Sequence, residues 1–224
     1  MRTLDELINT AEPGIDVIRE FLESAELPWE LLPASDRRGE VLTAVQVTTR
    51  STMGAMAYDT GGLLVDHGWL RVLGSGHPRL QRDLAAWNKD RSDGFYLVAD
   101  DAVGGFFAIN GGGLGPDIQN MYYWPPDDID WEPLEIGYTD FLRWSLTSGL
   151  TDFYAGLRWP KWQEDIKALT GDQCFTYYPF LWAKEGSVET SHRERIEIGK
   201  EFDFRICTFD QLRNASTSNL GQMA

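Results

Sequence analysis

The first 30 residues carry the hydrophobic spacing of two helices. Thr3-Leu4-Asp5-Glu6 has the form of a capping box, in which a hydroxyl and a carboxylate satisfy free backbone N–H groups of the first turn. Pro13 suits the first position of a second helix. Apolar side chains then recur on one helical face, at Ile15, Ile18, Phe21, Leu22 and Ala25. Pro28 predicts the end of this helix and a loop over residues 28–39.

The middle of the chain has the pattern of a β-sheet. Residues 40–49 are ambiguous, because their valines and threonines favour a strand whereas Leu42-Thr43-Ala44-Val45 also suits a helical turn. Six short apolar runs follow, separated by glycines and turn residues, at 55–59, 62–66, 69–74, 94–100, 103–110 and 121–124. Asp101-Ala102 separates two of these runs and resembles a hairpin turn. The order predicts an antiparallel sheet of hairpins.

From Tyr138 onward the apolar spacing is that of helices. The expected elements are a helix with Phe141, Leu142, Ser145 and Leu146 on one face, helices over 151–157 and 159–169, a strand or packed loop over 175–182, and a helix or strand over 202–212. Fraying is expected for the small and polar residues 215–224. The predicted fold is therefore a single α+β domain, with a central antiparallel sheet over about 41–124 and flanking helices at both ends.

Composition and charge exclude several classes of protein. The 224 residues are 42% hydrophobic and 25% charged, as in a soluble globular domain. No apolar run approaches the ~18 residues of a membrane span, and the acidic N-terminus does not resemble a signal peptide. A net charge of −15 disfavours binding to nucleic acid or to an anionic membrane. Two cysteines suit reduced thiols, so a cytoplasmic location is expected.

The acidic residues are concentrated in two segments. Residues 1–30 hold eight acids against two arginines, and residues 116–142 hold seven acids with no Lys or Arg. In the denser part of the second segment, the candidate partner-binding residues are Asp127, Asp128, Asp130, Trp131, Glu132 and Glu135. The acids would steer a basic protein partner and the tryptophan would anchor the contact. The alternative is a solvated face that serves solubility alone.

No motif for catalysis, metal or cofactor binding is complete in this sequence. The glycine-rich stretch 111–115 lacks the third glycine of a dinucleotide fingerprint and the Lys-Ser or Lys-Thr of a phosphate loop. Gly74-Ser75-Gly76-His77 lacks the G-x-S-x-G nucleophile elbow. One alternative stays open, a pocket near the 111–115 loop that is formed by His67, Ser75, His77 and Asp100. We expect no catalytic residue, metal or cofactor.

Several segments together resemble a known family. They are GGLLVDHGWLRVLGSGHP at 61–78, GFYLVADDAVGGFFAINGG at 94–112, YY at 122–123, WEPL at 131–134, YTDFL at 138–142 and LRWP at 157–160. This set resembles an uncharacterised bacterial family, the domain of unknown function numbered 2625. The resemblance covers roughly residues 1–185, and residues 186–224 depart from it as a divergent C-terminal extension. The family has no assigned activity, so no catalytic residue follows from the resemblance.

The order of elements is more distantly similar to the SUKH superfamily. The shared order is strand, Asp, turn, Gly-Gly, strand, glycine-rich loop, Tyr-Tyr strand, acidic-aromatic turn and a helix opened by Tyr138. This resemblance implies an α+β fold with an antiparallel sheet, and many SUKH members are immunity proteins that neutralise bacterial toxins. The expected function is that of a soluble, immunity-like acidic binding protein without catalytic activity of its own, which engages a basic protein partner. The alternative is a small-molecule-binding protein or enzyme with a cleft near His67, His77 and the 111–115 loop.

We expect neither His67 nor His77 to hold a structural metal, because no cysteine or acid lies at metal-ligand spacing from them. Elemental analysis of the purified protein is therefore expected to show no stoichiometric zinc. About one equivalent of zinc that disappears in a His67→Ala variant would contradict this prediction.

Overall fold

Seven strands form one antiparallel sheet, in the order in which they occur along the chain. The computed structural model describes the backbone of residues 1–220 and the side chains of residues 1–209 and 211. The strands are β1 (Trp29–Pro33), β2 (Thr60–Val65), β3 (Leu70–Leu73), β4 (Phe95–Asp101), β5 (Phe106–Asn110), β6 (Asn120–Trp124) and β7 (Glu132–Gly137). The predicted antiparallel sheet is confirmed, with β1 and β7 as its two edges.

Helices and a second, smaller sheet complete the α+β fold. The helices are α1 (Leu4–Leu7), α2 (Gly14–Glu23), α3 (Arg38–Val45), α4 (Thr52–Asp59), α5 (Leu84–Asn88), α6 (Tyr138–Ser145), α7 (Ser148–Phe153), α8 (Trp162–Ile166) and α9 (Ile198–Leu220). Strands β8 (Gln173–Tyr178) and β9 (His192–Glu197) pair antiparallel with each other. A 3₁₀ turn, Asp66–Gly68, connects β2 to β3.

The large sheet separates two layers of structure. Because side chains alternate along a strand, paired positions across the sheet share a face. One face carries Phe107, whose ring centroid lies 5.0 Å from that of Phe141 in α6. The other face carries Phe106, 5.0 Å from Phe202 in α9. Helices α6 and α7 thus cover one face, and α9 with β8 and β9 covers the other.

The N-terminal helices follow the prediction closely. The backbone N–H of Thr3 donates to the Glu6 carboxylate at 2.7 Å, as the capping box requires. In α2 the residues Ile15, Ile18 and Leu22 are buried, which confirms the apolar face. Pro13 stands one residue before the position predicted for it, as the N-cap of α2.

Two predictions about the first 60 residues are wrong. Residues 28–39 contain strand β1, which pairs with β2 and was expected to be a loop. Residues 55–59 belong to α4 and not to a strand, because the Ser51 side chain accepts the Gly54 N–H at 3.0 Å and caps a helix there. A short apolar run does not distinguish a helix from a strand by its periodicity. The ambiguous 40–49 segment begins in α3.

The C-terminal part is continuous with the rest of the fold. The expected family limit at residue 185 lies between the paired strands β8 and β9. Residues 202–212, expected to form a helix or a strand, lie in α9. Phe202 and Phe209 of that helix are buried in the main core. The fraying of 215–224 stays a prediction, and residues 221–224 lie outside the described residues.

Asp101 organises the turn between β4 and β5. Its Oδ1 accepts the N–H groups of Val103 at 3.0 Å and Gly105 at 2.8 Å. Its Oδ2 accepts the hydroxyls of Tyr123 at 2.7 Å and Tyr154 at 2.9 Å. Burial raises the pKa of Asp101, and these hydrogen bonds oppose that rise. One carboxylate therefore fastens the hairpin to β6 and to the end of α7.

Gly105 leaves no room for a side chain beside this carboxylate. A Cβ atom there would lie 2.6 Å from Cε2 of Tyr123 and closer still to the Asp101 carboxylate. Gly105→Ala is therefore expected to lower the free energy of unfolding by roughly 3 kcal/mol, from overpacking and displaced buried hydrogen bonds. Urea denaturation measures the effect. Gly156→Ala is the matched control, since a Cβ at Gly156 meets nothing within 4 Å. Equal unfolding midpoints for the two variants would refute the assigned packing.

Candidate functional site

Asp100 lies at the centre of a buried network of ion pairs. Its side chain is fully buried, and the guanidinium of Arg71 donates to Oδ1 through Nε at 2.7 Å. The guanidinium of Arg82 donates to Oδ2 and, through its own Nε, to Asp172 at 2.9 Å. Two arginines and two aspartates thus balance each other's charge, and Asp172 forms the partly exposed end of the network.

The same network joins the sheet to the C-terminal layer. Arg71 also donates to the backbone carbonyls of Asp101 and Gln173. Arg82 donates to the carbonyl of Gly171 at 2.7 Å. Both carboxylate oxygens of Asp100 are occupied, so this residue of the predicted pocket positions other groups and has no free oxygen for acid–base chemistry.

A cleft opens beside this network, between β2, β3 and the segment 166–171. Its larger part has a volume of about 450 Å³, and the smaller part of about 230 Å³ adds Trp29 and Glu30 to the lining. The residues shared by both parts are Leu64, His67, Gly68, Arg79 and Lys167. We call this the His67 cleft. Arg71 lines its larger part and thereby connects it to the buried ion pairs.

A turn of unusual backbone conformation presents His67 at the cleft. Asp66, His67 and Gly68 all have positive φ, at 49°, 62° and 86°. For the two non-glycine residues this conformation is costly and persists only when neighbouring contacts enforce it. Asp66 supplies them: its N–H donates to the Pro28 carbonyl at 2.7 Å, and its carboxylate pairs with Arg158 at 2.5 Å.

Aromatic rings hold Arg158 in place for that ion pair. The guanidinium carbon lies 4.3 Å from the ring centroid of Trp162 and 4.9 Å from that of Trp69. The imidazole of His67 meets the Trp162 ring at its edge, with 6.3 Å between centroids. His67 is exposed, and its imidazole makes no hydrogen bond with the residues that the structure describes. Its ring is thus available to a ligand.

Ser75 and His77 serve the shape of their loop. The buried Ser75 hydroxyl donates to the Thr60 carbonyl at 2.6 Å and accepts the Ser35 N–H at 2.9 Å. His77 accepts the Arg79 N–H through Nδ1 at 3.2 Å. Neither residue lines the His67 cleft, and no Ser75–His77 hydrogen bond joins them. The hydroxyl is therefore not activated by His77 as a nucleophile would be.

The glycine-rich loop lies away from the cleft. Gly113 donates its N–H to the Gly94 carbonyl at 2.8 Å, so the loop closes against the start of β4. Of the residues predicted for the alternative pocket, His67 lines the cleft and Asp100 reaches it through Arg71. Sequence reasoning missed Arg79 and Lys167, which are 88 positions apart and carry no shared local motif.

The second acidic segment forms a turn and the edge strand β7. Its exposed carboxylates, which we call the acidic β7 surface, are Asp127, Asp128, Asp130, Glu132 and Glu135. Burial raises the pKa of Glu132, and the charges of Asp128 and Asp127 raise it further. The nearby guanidinium of Arg205 is buried and donates to the backbone carbonyls of Pro125 and Asp128. Because Arg205 donates to carbonyls and not to the carboxylates, the negative charges of this surface remain crowded together.

Trp131 is packed mainly on the sheet. Its ring centroid lies 5.4 Å from that of Phe95 and 5.4 Å from that of Trp124. The side chain is half-buried, so part of the ring faces solvent beside the carboxylates. Most of its apolar area is already used within the fold.

The N-terminal acids differ from those of β7 because many have local partners. Asp16 pairs with Arg19 at 2.8 Å, Glu12 pairs with Arg50 at 2.6 Å, and Glu30 pairs with Arg79. Glu26 accepts the Ser148 N–H at 2.6 Å. In the described part of the chain, no ion pair is formed by Asp127, Asp128, Glu132 or Glu135. Of the two acidic segments, the second therefore remains the candidate for binding a partner.

Other chemistry-bearing residues are structural or dispersed. Burial raises the pKa of the Cys174 thiol well above its usual value, which keeps it protonated and unreactive. Among the described residues, no group of three or more His, Cys, Asp or Glu is placed to hold a metal ion. Within residues 1–220, none of the helices has both the length and the apolar character needed to cross a membrane.

Comparison with known proteins assigns the family. The family described as "Protein of unknown function DUF2625" matches residues 4–201. The chain belongs to this family, and the match extends past residue 185. It is 44% identical to the uncharacterized protein YbfG of Escherichia coli (strain K12) over 194 residues, which is 85% of this chain and 90% of that protein. It is 36% identical to an uncharacterized protein of Haemophilus influenzae over 213 residues, 92% of this chain and 93% of that protein.

The buried ion-pair network gives a prediction about stability. Asp100→Asn removes the negative charge that Arg71 and Arg82 share. The substitution is therefore expected to lower the free energy of unfolding by about 3–5 kcal/mol. Urea denaturation followed by tryptophan fluorescence measures it. Asp140→Asn is the control, because Asp140 pairs with Arg143 on the exposed face of α6. A loss for Asp100→Asn no larger than for this control would show that the network contributes little.

Proposed function

We propose that this chain is a binding protein without catalytic activity of its own, and that the acidic β7 surface engages a basic protein partner. The observation that supports this most is the set of exposed carboxylates on β7 and its preceding turn, where Asp127, Asp128, Glu132 and Glu135 have no ion-pair partner among the described residues. Crowded like charges raise the local potential, which attracts a basic surface and relieves the crowding when it binds.

The form of β7 favours contact through side chains over the addition of a strand. Pro133 has no N–H to donate, and Glu135 has a left-handed backbone with φ 58°. The pairing of β6 with β7 is also irregular between Asn120 and Tyr122. An edge interrupted in this way is a poor template for a partner strand. The partner would instead place Lys and Arg side chains against the carboxylates and the solvent-facing part of Trp131.

A buried cluster of groups with raised pKa values, Asp101, Tyr123 and Tyr154, is used for packing and supports a role without catalysis. Burial raises the pKa of Tyr123 and of Tyr154, and the charge of Asp101 adds to both effects. All three groups are buried, and both tyrosine hydroxyls donate to the Asp101 carboxylate in the packed core, where they position the hairpin. An immunity-like role, in which the basic partner is a toxin, would be one form of the proposed function. A cytoplasmic location is part of the same proposal.

The proposal predicts that reversing charge on β7 weakens binding and leaves the fold intact. Asp127→Lys with Glu132→Lys removes mutual repulsion and leaves the turn hydrogen bonds of Asp128 intact, so the unfolding midpoint is expected to stay equal or to rise slightly. Capture from source-cell lysate by the immobilised protein, with mass spectrometry, identifies the partner. Wild type is expected to retain a basic protein at low salt and to lose it as salt rises. The double variant is expected to retain much less of the same protein.

A matched control separates this surface from general charge effects. Glu20→Lys with Glu23→Lys makes the same change in net charge on the exposed face of α2. That control is expected to bind like the wild type. Capture of no basic protein by the wild type would refute the proposal. So would equal retention of the captured protein by the β7 variant and the α2 control.

A further inference from the structure

We propose that the His67 cleft is a binding site for a small organic anion, with its carboxylate or phosphate group held by Lys167 and Arg79 and its apolar body against Leu64 and Ile166. This site is separate from the acidic β7 surface. It binds an anion, whereas the β7 surface binds a basic protein. The larger part of the cleft, about 450 Å³, has the size of an ordinary small-molecule site.

The charges that line the cleft are opposite in sign to those of the chain as a whole. In a protein of net charge −15, the cleft is lined by Arg71, Arg79 and Lys167 against the single carboxylate of Glu30. Arg71 is neutralised by Asp100. Arg79 pairs with Glu30, and both side chains are about half exposed, so a ligand anion can replace Glu30 at little cost.

Lys167 is the cation left over. It follows the last turn of α8 and is exposed, and its ammonium group forms no ion pair or hydrogen bond with any residue that the structure describes. Its ammonium group keeps three donors for a ligand. Since the other cations of the cleft already have anionic partners, the charge of Lys167 determines that the site attracts an anion.

The walls of the cleft are held rigidly. Arg71 is fixed by the carboxylate of Asp100 and by two backbone carbonyls. The left-handed turn that presents His67 is fixed by the Asp66–Arg158 ion pair. Preorganised walls reduce the ordering that a ligand must impose when it binds. The exposed ring of Trp29, 44% accessible, offers a flat apolar surface at the outer end.

The test uses a fluorescent aromatic sulfonate, 8-anilinonaphthalene-1-sulfonate, because it combines an anionic group with an apolar body. It is titrated at constant ionic strength into wild type, Lys167→Glu and Lys89→Glu. Lys89 is also exposed and lies outside the cleft, so this control makes the same change in net charge. Saturable binding is expected in the wild type. Its dissociation constant is expected to rise about tenfold or more in Lys167→Glu and to stay within about twofold in Lys89→Glu.

Competition distinguishes the chemistry of the ligand. Benzoate displacing the dye more effectively than inorganic phosphate assigns a carboxylate ligand, and the reverse order assigns a phosphate ligand.

Circular dichroism and urea denaturation check that both variants are folded. Binding that is absent in the wild type, or equally weakened by the two lysine substitutions, overturns the proposal. Binding that Lys167→Glu leaves unchanged also overturns it, because the dye then occupies another surface.

Discussion

The carboxylate of Asp100 is shared by two arginines in the interior of this protein, and the C-terminal layer depends on that arrangement. Buried charges are tolerated only when partners and hydrogen bonds surround them. Arg71 comes from β3, Arg82 from the loop before α5, and Asp172 from the residue before β8. These segments must therefore pack together, because the absence of any one of them leaves a buried charge without its partner.

Two adjacent aspartates on β4 connect the three layers of the fold. Asp100 and Asp101 point to opposite faces, as successive strand residues do. Asp100 binds the arginines that hold the C-terminal layer. Asp101 accepts the hydroxyls of Tyr123 and Tyr154 and so holds the hairpin to the helical layer. Strand β4 thereby binds the layers on both faces of the sheet, through one aspartate on each face.

The sequence predictions were accurate where an element depends on neighbouring residues and failed where it depends on residues far apart in the chain. The capping box at Thr3 and the strands at 62–66 and 94–100 were predictable, since neighbouring residues determine them. Strand β7 was missed because its edge position tolerates acidic residues that do not resemble a buried strand. His67 was noticed as a rare residue type, but its partners in the cleft come from distant parts of the chain. Ser75 and His77 were named for the alternative pocket, whereas backbone groups occupy both side chains.

The meander order of the large sheet also has a consequence for how the chain reaches its native state. Each strand pairs with its neighbour in sequence, so the contacts within the sheet join residues much closer in sequence than the contacts to the C-terminal layer, and contacts of low sequence separation typically form fast. Arg71 receives its acceptor at Gln173 only across a separation of 102 residues. During synthesis on the ribosome, the residues of all seven strands are therefore made before Gln173, whose carbonyl accepts from Arg71. In a sheet that assembles before residue 173 emerges, the face that carries Arg71 and Asp100 is in contact with water, where the two charges are still solvated.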